Sequence, residues 1–307
     1  MKRKGERVDG WLVLDKPAGI SSARAVAIAR RAFNAAKLGH GGTLDPLASG
    51  VLPLAFGEAT KTVSLVMDGR KSYRFTLRFG QQTSTDDAEG EIVATSGLRP
   101  DDAAIAAVLP RFTGTVEQTP PAFSALKIDG KRAYALARQG QAPELKPRAV
   151  EIFRLELAAR PDPDRADFEV DCGKGTYIRS LARDLALALG SVGHVAALRR
   201  TQVGKFGEKQ AISLAKLEAL GHSPARFEHL LPVETVLDDI PALAVTEEEA
   251  ARLRMGQPLP ALRTGLRDRV PPMPDSAAPL RAMSGDRLVA LVRSEGGEIR
   301  PVRVINP

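Results

Sequence analysis

The chain has 307 residues, of which 43% are hydrophobic and 26% charged, a balance typical of a soluble globular protein of one or two domains. This composition excludes a wholly disordered chain, a collagen-like chain and a coiled coil. The single cysteine, Cys172, excludes an internal disulfide framework and a cysteine-rich zinc site. Because the sequence has no apolar run of about 18 residues and no apolar stretch after its basic start, we expect a cytoplasmic protein without a membrane span.

Positive charge is concentrated in the first quarter of the chain. Residues 1–80 hold 14 basic and six acidic side chains, out of 44 and 37 in the whole sequence. Such an excess suits a phosphate-rich partner, because each neutralised phosphate releases counterions. A general solubility charge explains it equally well, so charge alone leaves both interpretations open.

Hydrophobic periodicity predicts a strand and then a helix at the start of the chain. The apolar run over 11–14 predicts a buried strand, and Ser21 or Ser22 can cap a helix that ends near Phe33. The stretch 39–57 is punctuated by Gly and Pro, which predicts a loop or irregular structure.

Further along, strict alternation over 71–79 places Tyr73 with three other large apolar side chains on one face of a half-buried strand. Thr176 can cap a later helix. Strands and helices follow one another without a strict βαβ rhythm, which favours an α+β fold. The other predicted elements are helices over 58–67 and 101–109, strands over 150–157, 166–172 and 195–206, a mostly helical segment over 207–238, and strands over 287–293 and 298–305.

A change of composition divides the chain after Asp238. No lysine occurs after Lys216, and residues 256–285 are rich in Pro and Gly. We therefore expect a large domain over 1–238 and a small C-terminal domain over 239–307.

Glycine and proline residues are most closely spaced around one acidic residue, Asp45. It precedes Pro46, which biases its backbone to extended geometry, and Gly41 and Gly42 allow close approach before it. A carboxylate held on a stiff loop between apolar neighbours can serve as a nucleophile or a base. An aspartate before proline is also a common turn residue, so local chemistry leaves this alternative open.

Other motif readings fail. The glycines at 39–42 lack the lysine of a phosphate-binding loop. Ser124 and Lys127 match S-x-x-K, but the companion motifs of the serine acylases are absent. The four histidines lack metal-ligand spacing, so no metal is expected.

The segment GHGGTLDPLASGVLPLAFGEATK, at 39–61, resembles the signature of the TruB family, the bacterial pseudouridine synthases that act on the T-loop uridine at position 55 of tRNA. Further motifs of this family have matches in the same order over about 10–201. They are GWLVLDKP at 10–17, KSYRF at 71–75, PPAFSALK at 120–127, GKGTYIRSL at 173–181 and ALRRT at 197–201.

The resemblance implies the pseudouridine synthase fold, a mixed and mainly antiparallel sheet around a central cleft, with a small β-rich C-terminal domain of the PUA type that binds RNA. It implies no cofactor, a tRNA T-stem-loop as substrate, no obligate protein partner and a monomer. It also implies site residues. Asp45 would be the catalytic aspartate, Tyr73 would stack on the target base, Arg179 would pair with Asp45, Leu198 would line an apolar pocket, and His40 and Tyr177 would contact the RNA.

Each of these residues also has an ordinary structural explanation. Tyr73 and Leu198 could be core residues, and Arg179 a solvated arginine. Lys16 and the other lysines of these motifs are expected to be surface charges. Two further functions stay open, a non-catalytic RNA-binding or chaperone protein and a glycoside or nucleoside hydrolase. The hydrolase would need a second carboxylate, for which Asp15 is the one weak candidate.

Overall fold

A computed structural model of the chain describes residues 5–124, 127–128, 131–132, 145–260, 265–271 and 278–306. These residues form an eleven-stranded sheet, a five-stranded sheet and two small hairpins. The strands are β1 (Gly10–Lys16), β2 (Leu38–His40), β3 (Ser49–Phe56), β4 (Lys71–Phe79), β5 (Gln81–Thr83), β6 (Ile92–Thr95), β7 (Gly114–Gln118), β8 (Lys127–Ile128), β9 (Lys131–Arg132), β10 (Arg148–Asp162), β11 (Arg165–Cys172), β12 (Gly193–Val203), β13 (Phe206–Gly207), β14 (Ile212–Ser213), β15 (Leu230–Leu231), β16 (Ala242–Ala244), β17 (Leu259–Pro260), β18 (Leu280–Ser284), β19 (Arg287–Glu295) and β20 (Glu298–Val304).

The helices lie around these sheets and are mostly short. They are α1 (Ser22–Ala32), α2 (Val63–Asp68), α3 (Asp102–Val108), α4 (Ile178–Ala188), α5 (Leu214–Leu220), α6 (Glu247–Arg254) and α7 (Leu266–Arg269). No helix among the described residues is long and apolar enough to cross a bilayer.

The large sheet has the order β14-β1-β3-β12-β4-β11-β10-β7, with β2, β13 and β15 pairing beside it. Its pairs are antiparallel, except that β12 runs parallel to β3 and β14 parallel to β1. The alternation predicted for β4 is confirmed, since Phe75, Leu77 and Phe79 are buried. One face of this sheet packs against α1 and α4 around the main hydrophobic core. The predicted α+β class and the mixed, mainly antiparallel sheet are confirmed.

Helix α1 begins and ends where the sequence predicts. The Ser21 side chain accepts a hydrogen bond from the Arg24 N–H, and Phe33 forms the C-terminal cap. Ala25, Ala29 and Phe33 are completely buried, as their helical spacing predicts. The local cap and the spacing together fix this element.

The loop predicted over 39–57 is confirmed only for 41–48, because residues 39–40 belong to β2 and residues 49–56 to β3. Its second half is β3, which is almost completely buried between β1 and β12. A strand buried on both faces has no alternation, and Pro53 within it argues against a central strand. The periodicity that identifies half-buried strands is therefore absent here.

One other prediction needs correction. Thr176 does not cap α4, because Tyr177 is the N-cap residue and its N–H donates to the Gln118 side chain at 2.8 Å. The segment 207–238 is helical over most of its length, as predicted, but α5 is its one α-helix and the other helical residues form three short 3-10 helices.

The five-stranded sheet, β16-β18-β19-β20-β17, has its own buried cluster with α6. Leu288 and Leu291 of β19, with Ile305 directly after β20, instead join the cluster around Trp11 of the large sheet. The Lys61 ammonium group donates to the Val304 carbonyl oxygen at 2.8 Å, so the two sheets are in direct contact. The division after residue 238 stays a prediction, and the Pro-rich stretch predicted within 256–285 lies partly outside the described residues.

Candidate active site

Five of the six predicted site residues line one cavity. Its volume is about 320 Å3, and its walls come from the loop before β3, from β4 and β12, and from the start of α4. The predicted residues among its lining are Asp45, Tyr73, Tyr177, Arg179 and Leu198. They come from sequence positions up to 153 residues apart, so only the fold brings them together.

The loop that carries Asp45 is fixed from two sides. Ser22, in the first turn of α1, donates its hydroxyl to the Leu44 carbonyl oxygen and accepts from the Leu44 N–H, both at 2.8 Å. The Arg200 guanidinium, which is 1% exposed, donates to the carbonyl oxygens of Gly42 and Thr43 at 3.1 and 3.3 Å. These contacts hold the backbone directly before Asp45.

Lys16 holds the loop on the far side of Asp45. The sequence analysis placed it among surface charges, and this is wrong, because the residue is completely buried. Its ammonium group donates to the carbonyl oxygens of Pro17, Ile20 and Pro46 at 2.9, 2.8 and 3.4 Å. Burial lowers the pKa of Lys16 to about 8, against the opposing effect of the nearby Asp45 charge.

Asp45 and Arg179 form the predicted ion pair. The Asp45 Oδ2 atom lies 2.9 Å from Arg179 Nη2. The arginine side chain is 4% exposed and that of Asp45 is 37% exposed. The cation is therefore buried behind the carboxylate, whose other side stays accessible from the cavity.

The same guanidinium contacts a second carboxylate that the sequence analysis missed. Asp87 Oδ2 lies 3.4 Å from Arg179 Nη1, and its side chain is 5% exposed. Arg179 also donates to the carbonyl oxygens of Thr85 at 3.0 Å and Phe123 at 2.8 Å. No local signal marks Asp87, because it lies in an acidic turn that resembles an ordinary polar loop. Four partners on three segments hold this arginine in one orientation.

The loop of Asp87 is tied to α4 by a second pair one helical turn away. Arg183 Nη1 lies 2.9 Å from Asp86 Oδ2, and its Nη2 donates to the Thr119 carbonyl oxygen at 3.0 Å. Burial raises the pKa of Asp86, and Arg183 opposes this shift. Arg179 and Arg183 thus connect the helix to the acidic turn side by side.

Tyr73 and Leu198 form the aromatic and apolar parts of the wall. They lie on the neighbouring strands β4 and β12, where Leu198 pairs with Phe75. Burial raises the pKa of the Tyr73 phenol, and the adjacent Arg200 charge opposes this shift. Leu198 is 8% exposed and also packs in the main core. The position of Leu198 fits both a residue that lines the cavity and an ordinary core residue.

His40 lies outside the cavity lining. It ends β2, where it pairs with Leu54, and its Nδ1 atom is buried without a hydrogen-bond partner among the described residues. Burial lowers the pKa of His40, and the Arg200 guanidinium lowers it further. His40 is thus placed behind the glycine turn that lines the cavity.

Tyr177 lines the cavity at the N-terminus of α4. Its backbone carbonyl oxygen accepts from the Gln118 amide at 3.1 Å, so the residue is fixed from the end of β7. Burial raises the pKa of its phenol, and the Asp45 charge acts in the same direction. The motif at 120–127 follows β7, but Ala125 and Leu126 lie outside the described residues.

The candidate second acid, Asp15, is occupied elsewhere. Both of its carboxylate oxygens accept hydrogen bonds from Arg199, at 3.0 and 3.1 Å. Asp45 is the single carboxylate among the described residues that line the cavity. A hydrolase that uses two facing carboxylates has no support from this arrangement. Among the described residues, no group of three or more His, Cys, Asp or Glu side chains could hold a metal ion.

Two buried cations of the cavity wall were also missed by the sequence analysis. Lys71 and Arg200 both line it, and Lys71 donates to the carbonyl oxygens of Met67 and of Gly69. Burial lowers the pKa of Lys71, and Arg200 lowers it further. Lys71 and Tyr73 share a face of β4, so the alternation of this strand could have predicted that Lys71 lies beside Tyr73 in the cavity wall.

Comparisons with known proteins agree with this geometry. A family model described as the N-terminal domain of TruB family pseudouridylate synthases matches residues 30–178. A second, described as the tRNA pseudouridylate synthase B C-terminal domain, matches residues 179–238.

Relatives match over the whole chain. A protein named tRNA pseudouridine synthase B from Bradyrhizobium diazoefficiens is 55% identical over 311 residues, with 100% of this chain and 88% of the relative covered. One of the same name from Caulobacter vibrioides is 53% identical, with 99% and 98% covered. A solved chain from a Cbf5–Nop10–Gar1 complex superimposes with a TM-score of 0.72 at 25% identity, covering 97% of this chain and 85% of that one. The chain therefore belongs to the TruB family of pseudouridylate synthases.

Proposed function

We propose that this protein is a tRNA pseudouridine synthase that isomerises the T-loop uridine at position 55. The observation that carries the proposal is the buried Arg179 guanidinium 2.9 Å from Asp45, in a cavity that Tyr73 also lines. Family membership and relatives named tRNA pseudouridine synthase B support it.

The reaction breaks the N1–C1′ bond of uridine and forms a C5–C1′ bond. The proton lost from C5 is balanced by the one gained at N1, so no oxidant, reductant or net water is consumed. A single carboxylate suits this chemistry, because it can add covalently to the sugar or base or can assist proton removal. We assign this role to Asp45. Arg179 orients Asp45, because its buried guanidinium lies 2.9 Å from the Asp45 Oδ2 atom.

The target base must leave its stack before it can reach Asp45. In our proposal Tyr73 stacks on the extruded base, an interaction worth roughly 1–3 kcal/mol per base. Leu198 supplies an apolar wall, and the rigid loop between Lys16 and Arg200 keeps the carboxylate in place. Tyr177 at the cavity edge and His40 behind the loop contact the flanking RNA.

The substrate in this proposal is the T-stem-loop of tRNA, bound by a cytoplasmic monomer that needs no cofactor or obligate protein partner. The five-stranded sheet over residues 242–304 would serve as a PUA-like RNA-binding domain. Its contact with the first sheet supports joint action on one RNA, because Lys61 and Val304 hold the two together.

The experiment is incubation with unmodified tRNA transcript, followed by mapping of pseudouridine and measurement of free uracil. We expect one modified site in the T loop, no uracil release, and no product from Asp45→Asn at unchanged tRNA affinity. Binding without product by the folded wild-type protein would instead favour a non-catalytic RNA-binding protein. Release of uracil would favour a hydrolase.

A further inference from the structure

A second, strongly basic pocket lies at the far end of α1. Its volume is about 700 Å3, and its lining includes Arg30, Arg31, His222 and Arg226. None of these residues lines the cavity of Asp45. Helix α1 itself contains three arginines and no acidic residue. The pocket is therefore a concentration of positive charge that the proposed reaction does not use.

Arg226 is the unusual member of this group, because it is buried without a counter-charge. It is 7% exposed, and its guanidinium lies 4.5 Å from the ring centre of Phe227 and 5.8 Å from that of Phe33. Its Nη1 atom donates to the carbonyl oxygens of His222 and of Ser223. Its Nε atom is buried without a hydrogen-bond partner, and it forms no ion pair within the described part of the chain.

The neighbouring side chains in the described lining supply no free anionic group to balance this charge. Arg30 donates to the carbonyl oxygens of Ala35 and Ala36 at 3.2 and 3.5 Å. The exposed Arg31 side chain contacts no hydrogen-bond or ion-pair partner among the residues described. Glu6 is the single acidic side chain in the described lining, and it already accepts from the Asn34 amide at 3.2 Å.

The helix dipole explains part of this arrangement and leaves part unexplained. A helix C-terminus favours cations, so Arg30 and Arg31 in the last turn of α1 are ordinary in their positions. The dipole does not account for Arg226, since burial of a cation without an anionic partner is costly. An anion in the pocket would remove that cost.

We propose that this pocket is a phosphoryl-binding site formed by Arg226, Arg31 and Arg30. The guanidinium group presents several N–H donors in a planar fork that matches the oxygens of a phosphate. The phosphoryl group belongs either to a backbone phosphate of the RNA substrate or to a free phosphate compound.

The position of the pocket is compatible with the RNA source. Helix α1 starts at Ser22, which contacts the loop of Asp45, and Arg31 lies nine residues further along. At a rise of about 1.5 Å per residue, this is roughly 13 Å along the helix axis. An RNA that places a uridine at Asp45 extends far enough to reach it. This source rests on the proposed function, whereas a free phosphate compound does not.

The first arm of the test measures the affinity of full-length tRNA transcript at several salt concentrations. For Arg31→Gln we expect an affinity several-fold weaker and a salt slope shallower by about 0.9, the effect of one lost phosphate contact. Turnover at saturating tRNA should stay within about two-fold of the wild type. Arg111→Gln, which removes an exposed arginine elsewhere on the same domain, is the matched control and should leave the slope unchanged.

The second arm measures thermal stabilisation and 31P NMR line broadening with inorganic phosphate and with pyrophosphate, against chloride at equal ionic strength. A free phosphate compound is supported if phosphate stabilises the wild type but not Arg31→Gln or Arg226→Met. In that case the salt dependence of tRNA affinity should be the same for Arg31→Gln as for the wild type. No effect in either arm overturns the site. Arg31→Gln keeps the test valid if Arg226→Met fails to fold. A wild type that makes no pseudouridine but shows these binding effects refutes the proposed function and leaves the site standing.

Discussion

Gly50 and Arg200 approach each other so closely that no side chain fits between their backbones. A β carbon built on Gly50 would lie 2.2 Å from the Arg200 carbonyl oxygen, and the φ angle of Gly50 is +101°. This contact joins β3 to β12 where the Arg200 side chain turns towards the loop of Asp45. The packing of two backbones therefore determines how that loop is held.

Gly50→Ala should destabilise the protein by about 3 kcal/mol or more, because the alanine is both strained and in collision with backbone. Turnover should fall as well, since any shift of Arg200 moves the carbonyl groups that it binds. Urea unfolding followed by circular dichroism measures the first effect. Gly39→Ala, with open space around residue 39, is the control and should change stability by no more than about 1 kcal/mol. Equal effects of the two substitutions would contradict the packing argument.

Two adjacent serines allow a test of the loop support. Ser22→Ala removes both hydrogen bonds to Leu44, and we expect a loss of about 1–3 kcal/mol together with a clear drop in kcat. Ser21→Ala removes only the cap of α1 and should cost about 1 kcal/mol with kcat unchanged. Single-turnover kinetics on both variants would separate the effects. If both lowered kcat alike, the Leu44 contacts would have no special role.

Arg179→Met should leave Asp87 buried without its partner cation. We expect a destabilisation of roughly 3–5 kcal/mol and loss of turnover. Adding Asp87→Asn removes the uncompensated charge, so the double variant should regain stability without regaining turnover. Unfolding and pseudouridine assays on the single and double variants form the test. Recovery of turnover in the double variant would show that Arg179 has no direct role at Asp45.

The buried Lys16 ammonium group should make the free energy of unfolding depend on pH. Its pKa is lowered to about 8 in the folded protein and is near 10.5 when unfolded. Between these values the unfolded state binds more protons, so stability rises with pH, by about 3 kcal/mol over the whole interval. Below pH 8 both states are protonated, and the cost of burying the charge is fully present.

The measurement is the difference in unfolding free energy between the wild type and Lys16→Met from pH 7 to pH 10. The other titratable groups occur in both proteins and cancel in the difference. We expect the difference to move in favour of the wild type above pH 8. Parallel curves would mean that folding does not shift the pKa of Lys16.

The predictions for the fold succeed where neighbours along the chain determine the outcome. The cap at Ser21 and the alternation of β4 depend on residues a few positions apart. The loop prediction for 39–57 fails over 49–56, because β3 is buried on both faces and its partners β1 and β12 are distant in sequence. Burial on both faces removes the polar residues that would have marked a strand.

The sequence by itself determined the family motifs, the composition of the loop around Asp45 and the pairing expected for Arg179. Only the tertiary structure decided that Lys16 is buried on the Pro46 carbonyl oxygen and that Asp87 shares Arg179 with Asp45. The physical reason is that the cost of burying a charge depends on every group packed around it. Those groups come from segments that are distant in sequence, and no local sequence pattern shows that these segments lie close together in the fold.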